Sequence, residues 1–132
     1  EKNNAKILGI CLGMQLLGKS STEDGFSDGL KLVNNEVKKI QTLDSNKVPH
    51  IGFDKVSFSN KWKFFKNISC DAAFYFVHSY NMVNQVDLPY VAICNYGEGF
   101  VAAFQSGNIY GTQFHPEKSQ AYGLQMLKNF LR

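Results

Sequence analysis

The sequence predicts an α/β fold with a mixed sheet, and three stretches carry the prediction. Ile7-Leu8-Gly9-Ile10 reads as a short buried strand that runs straight into a helical turn at 14–17. Four β-rich runs, 72–80, 90–96, 101–105 and 108–114, follow one another with connections too short for crossover helices, so much of the sheet is an antiparallel meander. Residues 119–131 place Leu124, Met126, Leu127, Phe130 and Leu131 at helical spacing, a closing helix with its apolar stripe in the core and Ser119 as its cap.

The first stretch also carries chemistry. Gly9-x-Cys11-x-Gly13 has the spacing of a nucleophile elbow with cysteine in the central place. The sharp strand-to-helix turn calls for small residues two before and two after the nucleophile. It sets the thiol at a helix N-terminus, where the dipole favours the reactive thiolate, and points it into a cleft. A cysteine between Ile and Leu is equally what a small core residue looks like. The decision comes from Gly111-Thr112-Gln113-Phe114-His115-Pro116-Glu117, near the other end. His115 offers a base, Pro116 biases it towards an extended backbone, and Glu117 can orient the imidazole. Cys11, His115 and Glu117 are the candidate catalytic residues, and the N–H of Leu12 is a candidate oxyanion donor.

Composition sets the bounds. The 132 residues suit one modest domain, 1–132, and 44% apolar against 19% charged residues describes a globular chain. A net charge of +3, spread without a dense run, gives no argument for nucleic acid. No apolar run is long enough to span a bilayer, so no membrane partner is expected. The three cysteines, Cys11, Cys70 and Cys94, show no zinc-like pairing, and their odd number argues against a disulfide framework. A reducing, cytoplasmic setting is expected.

Between the two motifs the chain is read in order. Residues 1–6 form a polar approach and 20–29 an exposed loop. Residues 36–42 alternate as a strand, and 44–47 make a turn. Residues 48–54 form a loop entering a strand at 55–58. Trp62, Phe64 and Phe65 pack a short helical segment on the core. His50 lacks a Cys, Asp or second His at metal-ligand spacing, so no metal is assigned. His78 is read as a structural or pocket-wall residue. Gln15, four residues beyond Cys11, shares its helix face.

Gly-Ile-Cys-Leu-Gly-Met-Gln with the distant Gly-Thr-Gln-Phe-His-Pro-Glu resembles the class I, triad-type glutamine amidotransferases. Val48-Pro49-His50-Ile51-Gly52, Tyr75-Phe76-Val77-His78-Ser79-Tyr80 and the Lys118-Ser119 extension narrow the likeness to the glutaminase subunits of imidazole glycerol phosphate synthase, in histidine biosynthesis. The resemblance runs from about Ile7 to the C-terminus. It implies a flavodoxin-like fold, with the chain forming the C-terminal portion of the domain and lacking its N-terminal strands. It implies hydrolysis of L-glutamine to glutamate and ammonia by a Cys11–His115–Glu117 triad, with Gln15 and the backbone of Ser79 and Tyr80 against the substrate. It implies no cofactor. Its heterodimer partner is a cyclase-type (β/α)8 synthase subunit, met by Pro49, His50, Ile51, Gly52, Phe53, Tyr75 and Lys118.

One departure keeps other readings open. The histidine-pathway subunits typically carry Trp and Asn where Phe53 and Asp54 stand. The aromatic is kept but a charge is added. A paralogous glutaminase supplying ammonia for amidation of a surface-polysaccharide sugar fits that change. A γ-glutamyl peptidase and an inactive binding subunit of the same fold are the further alternatives, the last opposed by the intact Cys11, His115 and Glu117.

Overall fold

A computed structural model describes residues 4–42, 47–83 and 88–132. Strand β1 (Ile7–Ile10) is followed at once by α1 (Leu12–Leu16), a single short helix. Next come the two-residue strands β2 (Ser20–Ser21) and β3 (Ser27–Asp28), then β4 (Glu36–Lys39) and β5 (His50–Lys55). A 3-10 turn at Lys63–Phe65 leads to β6 (Ala73–His78), β7 (Tyr80–Met82), β8 (Tyr90–Cys94), β9 (Phe100–Ser106) and β10 (Ile109–Thr112). A second 3-10 turn, Pro116–Lys118, precedes the closing helix α2 (Gln120–Leu131).

The α/β mixed sheet expected from the sequence is present. Its strand order is β1-β10-β9-β7-β4-β2-β3, with β8 also on β9. β1 runs parallel to β10, and β2 to β4; the other pairs are antiparallel. β5 and β6 form a separate antiparallel pair with His50 directly opposite His78. β9 is the central strand, and the apolar core lies on both its faces. Trp62, Phe74, Phe76 and Phe114 gather on one side, and Met14, Val37, Met82 and Phe104 on the other.

Several local expectations change. The 20–29 loop contains the small β2–β3 hairpin. The 48–54 segment is strand rather than loop, and pairing stops where a strand was expected, at 56–58, apart from one bridge from Ser57 to Ile93. The alternation of Ile51, Phe53 and Lys55 outward with His50 and Asp54 inward was legible there, but Pro49 and Gly52 read as loop. The 72–80 run breaks at Ser79 into β6 and β7, which belong to different sheets. Only Lys47 of the 44–47 turn falls among the described residues.

The closing helix is in place but turned. Gly123 and Met126 are its buried residues, while Leu124 is 54% and Leu131 80% exposed. Gly123 decides the contact: a Cβ there would lie 1.9 Å from the carbonyl oxygen of Pro116. Helix and 3-10 turn therefore touch backbone to backbone, and the narrow 123–126–130 stripe faces the sheet. Ser119 is no side-chain cap. Its hydroxyl donates to His115 O (2.6 Å) and accepts from Tyr75 N–H (2.9 Å), fastening the segment after β10 to β6.

Candidate active site

Two parallel neighbours build the site. Ile10 at the end of β1 pairs with Thr112 at the end of β10, and Cys11 N–H donates to Thr112 O at 2.7 Å. The chain leaves both strands on the same side of the sheet, the place where open α/β sheets hold their ligands. Cys11 leaves from one strand and His115 from the other, although 104 positions separate them. His115 N–H is anchored on Tyr75 O of β6 (2.9 Å). Its Nδ1 lies 2.5 Å from Glu117 Oε1. Glu117 and Lys118 sit on the 3-10 turn that Pro116 begins, so the carboxylate folds back on the imidazole two residues earlier.

The elbow is strained where the motif requires it. Cys11 has φ 53° and ψ −109°, a region that costs a non-glycine residue about 1–3 kcal/mol. The two glycines are not equivalent. A Cβ on Gly9 would meet the backbone C and O of Gly13 at 2.6 Å, whereas a Cβ on Gly13 would meet nothing within 4 Å. The expectation that both must be small holds only for Gly9.

The thiol is half-buried, and its surroundings reverse the expected electrostatics. Burial, the largest influence, pushes Cys11 up; the Leu12 N–H and the Gln113 amide pull it down without cancelling that, and Glu117 and Glu23 push it up further. Helix α1 is only five residues long, so its dipole is weak beside desolvation. Sγ donates to Val77 O at 3.9 Å and accepts from Gln113 Nε2 at 3.6 Å. Gln113 is wholly buried. It stood unassigned within the His-Pro-Glu motif, and no sequence pattern gives it a role.

Gln15 is buried, and both hydrogens of its amide are spent inside the protein, on Tyr80 O (2.9 Å) and Gln113 Oε1 (3.1 Å). Its Oε1 is what it can offer a ligand. Ser79 and Tyr80 lie at the β6–β7 break, with the Tyr80 carbonyl directed to Gln15 and to His78 Nδ1 (2.9 Å). Leu12 is exposed beside Cys11. Two hollows of about 590 and 350 Å³ lie away from Cys11, one edged by Lys6, Trp62 and Tyr110, the other by Lys38, Asn81 and Tyr96.

The face assigned to a partner divides in two. Ile51 (60% exposed), Phe53 (49%) and Pro49 face outward, with the Tyr75 ring 5.5 Å from that of Phe53. Gly52 is half-buried, and Lys118 is exposed. His50 does not belong with them. It is 3% exposed, stacked on Tyr96 with ring centroids 3.8 Å apart, and its Nδ1 lies 3.0 Å from His78 Nε2. Strand alternation turns it to the opposite side of β5.

The expectation that no Cys, Asp or second His is suitably spaced to make His50 a metal ligand is also corrected. His50, Asp54 and Cys94 bring their ligand atoms within 4.8 Å of one another. Cys94 is 40 positions beyond Asp54 and arrives on β8, so linear spacing could not reveal it. These groups satisfy each other. Asp54 Oδ2 lies 3.3 Å from His50 Nε2, and burial, with the Asp54 carboxylate beside it, holds the Cys94 thiol protonated, pushed up to about 12. All three cysteines are free.

Such a site, a strained Cys elbow beside a His-Pro-Glu turn on parallel strand ends, defines a class of protein, and the class-I glutamine amidotransferase family model matches residues 1–132. The chain belongs to that family. It is 47% identical over 125 residues to the imidazole glycerol phosphate synthase subunit HisH of Escherichia coli strain K12, and equally to that of Salmonella typhimurium strain LT2. Each match takes in 95% of this chain and 62% of the relative, so the chain spans about three-fifths of their length. Among solved structures, a Thermoplasma acidophilum protein provisionally named as one subunit of a GMP synthase superimposes with a TM-score of 0.69 at 27% identity, over 98% of this chain and 57% of that one.

Proposed function

We propose that the chain carries the glutaminase chemistry of a glutamine amidotransferase, releasing ammonia from glutamine for a synthase subunit of histidine biosynthesis. The observation that supports this reading is that Cys11 and the His115–Glu117 pair follow the adjacent, parallel ends of β1 and β10. Cys11 Sγ attacks the side-chain amide carbon, forming the C–S bond, and its proton passes to His115. The Leu12 N–H, at the start of α1 beside Cys11 Sγ, faces the developing oxyanion. His115, oriented by Glu117, protonates the amide nitrogen as the C–N bond breaks and ammonia leaves. It then takes a proton from water, which cleaves the γ-glutamyl thioester to glutamate and restores the thiol. Because burial raises the Cys11 thiol, proton removal by His115 is needed rather than optional. Gln15 Oε1 and the backbone of Ser79 and Tyr80 line the glutamine position. No metal or organic cofactor takes part.

The exposed Ile51–Phe53 side of β5, with Pro49, Tyr75 and Lys118, is the docking face for a cyclase-type (β/α)8 partner. Asp54, the departure that suggested another ammonia acceptor, has its carboxylate engaged by His50. The compartment fitting three free thiols is the cytoplasm. Among the described residues no helix is long and apolar enough to cross a membrane. The test is glutamate and ammonia release from glutamine, with and without the cyclase subunit. Wild type turns over in the complex and Cys11→Ala does not; turnover by Cys11→Ala near the wild-type rate rejects the mechanism.

A further inference from the structure

We propose that Gln113 is a positioning residue for the Cys11 thiol, held in donor orientation by a buried hydrogen-bond chain that runs from the Tyr80 carbonyl through Gln15. The inference rests on the reading of Cys11 as the nucleophile. It adds a part that neither the motif nor the family match assigns.

The orientation follows from hydrogen-bond polarity. Which end of a glutamine amide is nitrogen is normally settled only by its partners. Here one partner is unambiguous. The Tyr80 backbone carbonyl can only accept, so Gln15 must present its NH2 group to it (2.9 Å). The second hydrogen of that NH2 goes to Gln113, which must therefore offer its oxygen (3.1 Å). The Gln113 NH2 is then left facing Cys11 Sγ (3.6 Å). A donor there favours the anion that attacks, and its pull on the thiol opposes burial.

The same carbonyl is held from its other side. His78 Nδ1 also faces Tyr80 O, so it carries the hydrogen, and its Nε2 accepts from His50 Nδ1 (2.9 and 3.0 Å). His50 Nε2 lies 3.3 Å from the Asp54 carboxylate. Asp54, His78, Cys94 and Tyr96 are the titratable groups against His50. Every link from His78 to Gln113 is between buried side chains and one carbonyl. In such a site a reversed amide would set two acceptors or two donors face to face, so the chain has one polarity.

A structural role alone, satisfying buried amides, would change stability and leave the thiol's titration where it was. The experiment separates the two in the full chain. Iodoacetamide alkylation is followed across pH and resolved by peptide mass spectrometry, with exposed Cys70 as internal reference. Gln113→Met moves the Cys11 midpoint up by about one pH unit, the size of one hydrogen bond to a charged acceptor, while Cys70 is unmoved. Gln15→Leu frees the Gln113 amide and shifts Cys11 in the same direction, which keeps the test available should Gln113→Met fail to fold. An unchanged Cys11 midpoint in folded Gln113→Met, or in folded Gln15→Leu, overturns the proposal. Alkylation needs no glutamine, so glutaminase activity surviving in Cys11→Ala would reject the functional reading without deciding this one.

Discussion

Gly9 and Gly13 look interchangeable in the elbow motif, and the structure predicts opposite responses to the same substitution. Alanine at Gly9 puts a methyl 2.6 Å from Gly13 C and O and 2.7 Å from Met14 N, where ordinary contact begins at 3.4 Å. The neighbours are backbone atoms at the start of α1, so relief means opening the turn. Overpacking of this kind costs about 1–3 kcal/mol, offset by roughly 0.5–1 kcal/mol because alanine restricts the unfolded chain more than glycine. The net loss is about 0.5–2 kcal/mol, or about 2–8 °C in Tm for a chain of this size. Alanine at Gly13 meets nothing within 4 Å and sits in helix α1. It should gain roughly 0.5–1 kcal/mol, a rise of about 2–4 °C. Scanning calorimetry of the two variants and wild type reads the difference, and the Cys11 alkylation rate reports whether the elbow has moved. A Gly13→Ala loss equal to that of Gly9→Ala would refute the steric account of the turn.

Three further expectations follow from the same geometry. Cys11→Gly should be more stable than Cys11→Ala by about 1 kcal/mol, since only glycine is at ease at φ 53°; equal melting temperatures would remove the strain argument. His78 is lowered from 6.5 to about 4 chiefly by burial, so it folds neutral. Its contribution is intact above pH 6.5 and is lost as pH falls towards 4, by roughly 3 kcal/mol at most; His78→Gln should flatten calorimetric stability over that window. Lys118→Glu, at the exposed rim beside Glu117, should weaken cyclase binding or uncouple glutamine hydrolysis from synthesis, and titration calorimetry with coupled rates would detect neither if Lys118 is merely solvated.

What could be read from the sequence was what periodicity and local turn chemistry encode. β1, the meander of β8 to β10 and the closing helix announced themselves by apolar spacing and short connections. Cys11 and His115 could be named because each sits in a dense local motif. The rest depended on contacts between distant positions. β5 hid behind Pro49 and Gly52, and its inward face became visible only once His78 was seen opposite His50. Leu124 and Leu131 fit a helical stripe, yet the backbone contact at Gly123 rotated them into solvent. Ser119 had the type of a cap, but burial gave its hydroxyl to Tyr75 and His115. Gln113 and Cys94 had no local signal, because their partners arrive from other strands. The direction of the thiol's shift escaped for the same reason: the helix dipole is a local property, while desolvation depends on the whole fold.

The central claim, covalent catalysis by Cys11, is tested most directly by acid-quenching the protein, together with the cyclase-type subunit proposed as its partner, during glutamine turnover and mapping adducts by peptide mass spectrometry. Covalent catalysis predicts a γ-glutamyl group on the Cys11 peptide, none on Cys70 or Cys94, and its loss in Cys11→Ala together with glutamate production. Sustained glutamate release by the Cys11→Ala complex, with no adduct on any cysteine, would contradict it.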